Sequence, residues 1–318
     1  MKKRLFKAGL VLISLVIFYF LVANLIAQRI ITPYYASVIY WIGIYMILGL
    51  SLNLIVGLTG QLSLGHGGFM AIGAYSGALF TLKNASVGNL FLGMLVGMII
   101  SGLIALIVAI PTLRLKGDYL AITTLGVGEI IRIVILNLKI TGGPRGLTSI
   151  PYLMSWPLIY CLVVLVTILV FNYKYSRFGR VSLALNDDEI AVESLGVSPF
   201  LYKTLAFVLG AALAAIAGAL YASTYYVIKP ETFGINTSIN ILIIVVFGGM
   251  GSLSGTLLAA SFVGITNMIL QSYGDMRTLL YALILVLVMI FSPRGLLGSN
   301  ELSLKRFINR LKRNKEAL

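Results

Sequence analysis

The sequence predicts an all-α protein: a polytopic transmembrane helical bundle of about ten spans (8–10), with the N-terminus and C-terminus both cytoplasmic. Three observations lead there. The 318 residues are 59% hydrophobic and only 11% charged, less than half the roughly 25% charge of a soluble domain, so most of the surface must face lipid. Apolar stretches of spanning length follow one another along the chain, most near the ~20 residues that cross a ~30 Å hydrocarbon core. The 24 Lys and Arg residues flank those stretches, where they orient helices in a bilayer. They are not grouped on a soluble domain, so the net charge of +14 speaks for membrane lipid and not for nucleic acid.

Taken in order, the first element is Lys2-Lys3-Arg4 followed by apolar sequence from Ala8 to Ala27. It has the outline of a signal peptide, but its apolar run exceeds the ~7–15 residues of a signal core and reads as an uncleaved first span. Further spans are expected at 37–56, 62–82, 88–113, 119–138, 157–173, 201–227, 238–250, 252–271 and 278–292. The eighth and tenth are short and the third is interrupted by glycines, hence the range in the count. Lipid and neighbouring helices both want apolar side chains, so periodicity does not fix helix faces. Charge does fix orientation. With the N-terminus inside, 17 basic residues fall on the inner side and 6 on the outer, with Arg132 inside the fifth span; the reversed topology would invert this bias. The chain then divides into a cytoplasmic segment with the first helix (1–30), a transmembrane domain (31–293) that includes a cytoplasmic loop at 174–200, and a basic cytoplasmic tail (294–318).

That loop is the one long polar segment between spans. Asn186-Asp187-Asp188-Glu189 reads as an N-cap and an acidic first turn, with Glu189 three residues after Asn186 as in a capping box and the acids favoured by the helix dipole. Gly196 supplies a C-terminal stop and Pro199 enforces it. Ile190, Ala191, Ser194 and Leu195 would share one face. A helix that merely rests on the bilayer carries Lys or Arg on its polar face. This one has four acids and no base between Asp187 and Glu193, which favours docking to protein.

Residues 57–68, GLTGQLSLGHGG, open the third span. Glycine costs about 1 kcal/mol relative to alanine in a helix, so a glycine-rich stretch in a membrane signals close packing or a broken helix lining a cavity. Gln61, Ser63 and His66 within it are candidates for a pathway or gate. His66, the sole histidine, equally suits a polar tip bonded to nearby backbone. Glu129 and Arg132, three apart in the fifth span, share a helix face. Presented singly to lipid each would cost ~2.5–3.5 kcal/mol; as a pair they suit either a structural clamp or part of a path. Residues 248–255, GGMGSLSG, lack the Lys-Ser/Thr ending of a phosphate loop and read as a tight turn. Thr141-Gly142-Gly143-Pro144 has the composition of an ordinary outer turn. One histidine and the single Cys161 provide neither a metal cluster nor a nucleophilic triad nor a disulfide framework.

Five segments, in order, resemble the M-type permease subunit of bacterial ABC importers for branched-chain amino acids: GLTGQLSLGHGGFMAIGAYSG (57–77), RLKGDYLAITTLGVGEIIR (114–132), TGGPRGL (141–147), SRFGRVSLALNDDEIAVESLGVSPFLYK (176–203) and VFGGMGSLSGTLLAA (246–260). The resemblance implies alternating access without covalent chemistry in this chain, no cofactor of its own, and ATP bound by partner subunits. It implies a second permease subunit (an H-type relative or a second copy), two cytoplasmic ATPase subunits, and an extracytoplasmic solute-binding protein for leucine, isoleucine or valine. By the same resemblance Asn186, Asp187, Asp188, Glu189, Ile190, Glu193 and Gly196 belong to a coupling helix that fits a groove in the ATPase. Thr141, Gly142, Gly143 and Pro144 would face the binding protein. Two positions depart from the family pattern: Asn186, where relatives commonly carry a charge, and Thr256, where many have proline. Close relatives import urea or short amides, so the solute stays open. A self-contained carrier driven by an ion gradient through Glu129, Arg132 and His66 is the competing reading; the acidic docking loop argues against it.

Overall fold

The computed structural model describes residues 2–113, 115, 117–270 and, singly, 276, 283, 286, 295 and 298, with backbone alone for 2–12. The helices are α1 (Lys2–Ala27), α2 (Pro33–Thr59), α3 (His66–Lys83), α4 (Val87–Thr112), α5 (Asp118–Asn137), α6 (Trp156–Tyr175), α7 (Arg177–Asp187), α8 (Glu189–Ser194), α9 (Pro199–Thr224), α10 (Ile235–Gly248) and α11 (Leu253–Leu270). Short 3-10 turns cover Gly143–Arg145 and Pro230–Phe233. Seven segments are long and apolar enough to cross a membrane: α2, α4, α5, α6, α9, α11, and α10 together with the turn before it. In α1 the apolar stretch is Ile13–Ala27. The expected span at 278–292 and the tail at 294–318 lie outside the described residues apart from single positions.

The centre of the bundle is α3, wrapped by α4, α5 and α9. Its composition is too polar for an exposed span, and the fold answers by burying it along most of its length. Small residues allow the approach. Gly73 meets the backbone of Ala215, Gly77 meets Ala219, and Gly93 of α4 lies on Gly77 so closely that side chains there would collide. Such contacts are how membrane helices gain dispersion energy without a hydrophobic drive between them. Ser101 Oγ donates to the Ala211 carbonyl at 2.7 Å and fixes α4 to α9. At the edge, Tyr160 OH donates to the Leu15 carbonyl (2.7 Å) and Trp156 Nε1 to the Tyr19 carbonyl (3.2 Å), holding α1 on α6.

Helix ends follow the residues present. Proline opens α2 and α9, where its missing N–H is no loss. Ser86 and Ser176 cap α4 and α7 through their hydroxyls. At one end of the bundle the loops after α5 and α9 are joined by backbone bonds between Leu147 and Ile228 (3.1 and 3.0 Å). At the other end the C-termini of α2 and α6, the loop helices α7 and α8, and the α10–α11 turn come together.

Candidate functional site

The expected third span begins four residues late. α2 stops at Thr59, Gly60 takes φ +68, and the chain stays unwound to Gly65 before α3 begins at His66. The unwound stretch runs back into the bundle beside α2. His66 Nε2 pairs with Ser51 Oγ at 2.7 Å, eight residues and ~12 Å inside the end of α2. The reason is a set of tertiary bonds that outweigh local helix closure. Leu64 N–H donates to Thr124 Oγ1 of α5 (3.0 Å) and Gly67 N–H to Ser238 Oγ of α10 (2.9 Å). Gly65 sits against the Thr124 carbonyl and Gly128, where no side chain fits.

Gln61, Ser63 and His66 are all buried. Yet Gln61 Nε2 and Oε1, Ser63 Oγ and His66 Nδ1 make no hydrogen bond among the described residues. Buried polar atoms are paired in the great majority of cases, and this six-residue stretch holds four of the six buried side-chain atoms that lack a partner among the described residues. Irregular backbone at membrane depth is tolerated only where protein or a water-filled cavity encloses it.

Glu129 and Arg132 form the expected pair, Nε to Oε2 at 2.7 Å, with side chains 29% and 24% exposed. They stand beside the same unwound segment. A narrow crevice there is lined by Leu64, Gly68, Gly128, Glu129, Gly234 and Ser238 among others. The structure thus brings two of the predicted groups to one locus where α3, α5 and α10 meet.

The loop at 174–200 is built differently from the expected single capped helix. Asn186 is not a cap; it lies in the last turn of α7, which runs on to Asp187. Asp188 is the cap of the six-residue α8, its Oδ1 accepting from the Ile190 and Ala191 N–H groups at 3.0 Å each. Glu189 does not reach back as in a capping box; it pairs with Lys203 Nζ of α9 at 2.8 Å. Asn186 is instead spent on a tertiary contact, its side chain lying on Gly60. Val192 is buried and anchors α8, whereas Ile190 and Leu195 are 76% and 81% exposed. Asp187, Glu193 and Gly196 are exposed as well, and Gly196 turns the chain at φ +81 ahead of Pro199.

Several residues that the sequence did not single out hold this end together. Asn53 of α2 donates from Nδ2 to the Ser252 carbonyl (3.1 Å) and Thr256 Oγ1 (2.9 Å), while its Oδ1 accepts from Gly251 N–H (2.8 Å). Buried Lys174, at the end of α6, donates to the Gly251 carbonyl at 2.6 Å. A lone amide in a span as apolar as α2 was the available signal for Asn53. Thr256, one of the two departures from the family pattern, bonds across helices to Asn53. In the opposite loop Thr141 is buried, its hydroxyl donating to the Leu138 carbonyl (2.8 Å), while Gly142 and Gly143 adopt positive φ ahead of Pro144. Among the described residues no three His, Cys, Asp or Glu side chains gather as a metal set would require.

A helical bundle with seven segments long and apolar enough to cross a membrane is the architecture of a multi-pass membrane protein. Comparison with known proteins supplies the family. Residues 34–293 match the family described as the branched-chain amino acid transport system / permease component, and the chain belongs to it. The high-affinity branched-chain amino acid transport system permease protein LivM of Escherichia coli (strain K12) is 39% identical over 301 residues, 82% of this chain and 69% of that one. The probable branched-chain amino acid transport permease protein LivM of Methanocaldococcus jannaschii is 24% identical over 320 residues, 82% of this chain and 92% of that one. LivH of E. coli K12, a permease protein of the same system, is 30% identical over 148 residues, 46% and 47% of the two chains. Among solved structures, PsaBC from Streptococcus pneumoniae in complex with Fab aligns at a TM-score of 0.46 and 15% identity, covering 86% of this chain and 97% of that one. The protein is an ABC importer permease subunit of the M type, a multi-pass inner-membrane protein.

Proposed function

We propose that this subunit passes leucine, isoleucine and valine inward by alternating access, driven by ATP hydrolysis on separate subunits. The observation that carries the drive is the form of α8: a short helix capped by Asp188, pinned by Glu189–Lys203 and anchored by Val192, that leaves Ile190 and Leu195 in the open. Such a pinned helix suits a groove on a soluble protein. Asp187 and Glu193 add an acidic rim that suits basic residues on the ATPase. The chain itself performs no covalent chemistry and binds no cofactor in this reading.

Two cytoplasmic ATPase subunits grip residues 186–196, and a second permease, an H-type relative or another copy, completes the membrane unit. An extracytoplasmic binding protein meets the Thr141–Pro144 loop and selects the solute. Inside the membrane, the unwound Gly60–Gly65 segment with Gln61, Ser63 and His66 is the gate. The contact between Asn186 and Gly60 supports this, because it joins the driven loop directly to that segment.

Reconstitution tests the reading. Labelled leucine uptake should require ATP, both ATPase subunits and the binding protein. Uptake that persists without ATPases and collapses with an ion uncoupler would replace it with a secondary carrier.

A further inference from the structure

We propose that Glu129 and Arg132, with the start of α10 beside them, form a transient binding site for the zwitterionic head of an α-amino acid. Glu129 takes the ammonium group; Arg132 and the first turn of α10 take the carboxylate. The proposal rests on the amino-acid reading above and names the place in the membrane where that charge pattern is met.

Depth comes first. In a 20-residue helix, Glu129 and Arg132 stand ~17 and ~21 Å along a ~30 Å rod, away from both ends of a segment long and apolar enough to cross a membrane. Charges there are costly when they face lipid and mark solute paths when they do not. Their partial exposure in the single subunit therefore means that the face is covered by the second permease or opens to a path.

The pair is also incompletely used. Its one contact joins Arg132 Nε to Glu129 Oε2; Glu129 Oε1 and both Arg132 Nη groups make no hydrogen bond among the described residues. A clamp made for rigidity gains most from the two parallel bonds of a forked arginine–carboxylate pair. Here one acceptor and several donors are left over, which is the complement of an ammonium and a carboxylate.

A third observation comes from the neighbours. α3 and α10 both begin inside the bundle, after Gly65 and Gly234, and neither glycine supplies a side-chain cap, although Ser238 Oγ takes the Gly67 N–H of α3. Gly234 is the closer: a Cβ on it would lie 3.6 Å from Glu129 Oε1 and 3.8 Å from Arg132 Cδ. Broken helices that aim their positive ends at a solute's anionic group are a recurring device at membrane midplanes. A neutral urea or short amide would need neither the pair nor the dipoles. The crevice between Leu64, Gly128 and Ser238 is too narrow for water in this structure, so the site forms when α3 and α10 part.

The test uses the complete reconstituted transporter, following labelled leucine uptake and ATP hydrolysis together. Glu129→Gln and Arg132→Gln should each lower uptake about tenfold or more, the loss expected when one charged hydrogen-bonding partner is removed, while hydrolysis continues. The exchanged pair E129R/R132E keeps an ion pair but places a carboxylate where the solute's own belongs, and should not restore uptake. Recovery of uptake by the exchange would identify a clamp and overturn the proposal, as would unchanged uptake in Glu129→Gln. If the neutral variants do not assemble with the ATPases, Glu129→Asp decides: lowered uptake with hydrolysis retained supports the site, and unchanged uptake overturns it. A wild-type complex that moves no leucine refutes the amino-acid reading itself, before any variant is made.

Discussion

The side-chain oxygen of Asn186 lies directly against Gly60, joining the last turn of α7 to the point where α2 ends and the chain unwinds into the membrane. One contact thus links the loop helices, proposed above to meet an ATPase, with the segment that holds Gln61, Ser63 and His66.

Gly60→Ala should therefore be damaging twice over. At φ +68 a Cβ costs roughly 1–2 kcal/mol, and it would also collide with Asn186. We expect a lower melting temperature of the purified transporter and slower leucine uptake. Adding Asn186→Ala removes the collision but not the backbone strain, so it should recover part of the uptake and less of the stability. Equal damage with and without Asn186→Ala would show that the contact transmits nothing.

The proposed gate can be read by accessibility. Cys161 is the free cysteine and is exposed, so Cys161→Ser gives a clean background for Ser63→Cys or Gln61→Cys. A small polar thiol reagent should label these positions at rates that change with the nucleotide state of the transporter. Labelling that is negligible in every state would place residues 61–63 in a static core.

On the proposed coupling face, Glu189→Lys reverses the charge opposite Lys203 and should weaken co-purification of the ATPase subunits without preventing membrane insertion. Restoring the pair as E189K/K203E should return part of that association, because the pair orients α8. Ile190→Asp and Leu195→Asp test the apolar contact. Both side chains are largely outside the chain's own packing, so intrinsic stability should move by no more than about 0.5 kcal/mol while ATPase association falls. Unchanged co-purification in all of these variants would remove residues 186–196 from the interface.

Asn53 provides a stability test of the same end. Asn53→Leu fills similar space but strands the Gly251 N–H in a buried turn, and each orphaned group costs about 1–3 kcal/mol. Thr256→Val removes a single acceptor of the Asn53 amide and should cost less, about 1 kcal/mol. Thermal unfolding of the detergent-purified complex gives the order of the two; Thr256→Val as the more damaging variant would contradict the clamp.

How much of this was legible in the sequence varies with the range of the forces involved. Nine of the ten expected spans are helices in the described structure, because long apolar runs at spanning length admit little else in a bilayer. The ion pair of Glu129 and Arg132 followed from helical spacing alone. The glycine-rich opening of the third span signalled a break, although not its place: the start at His66 is set by Thr124 and Ser238, side chains 60 and 171 residues away from their partners. The loop helix was legible as capped and acidic. Its cap moved from Asn186 to Asp188 because α7 runs on through Asn186 to Asp187 and leaves Asp188 as the extended residue ahead of α8.

By itself, then, the sequence determined the class of the protein, its membrane habitat and the family-like order of its motifs, since composition, run length and local spacing suffice for those. Only the tertiary structure decided that α3 is enclosed, that residues 60–65 re-enter the bundle, and that Asn53, Lys174 and Gly251 lock one end. Apolar side chains suit lipid and protein equally, so hydrophobicity cannot say which helix lies inside; close packing of glycines and a few long-range hydrogen bonds make that choice.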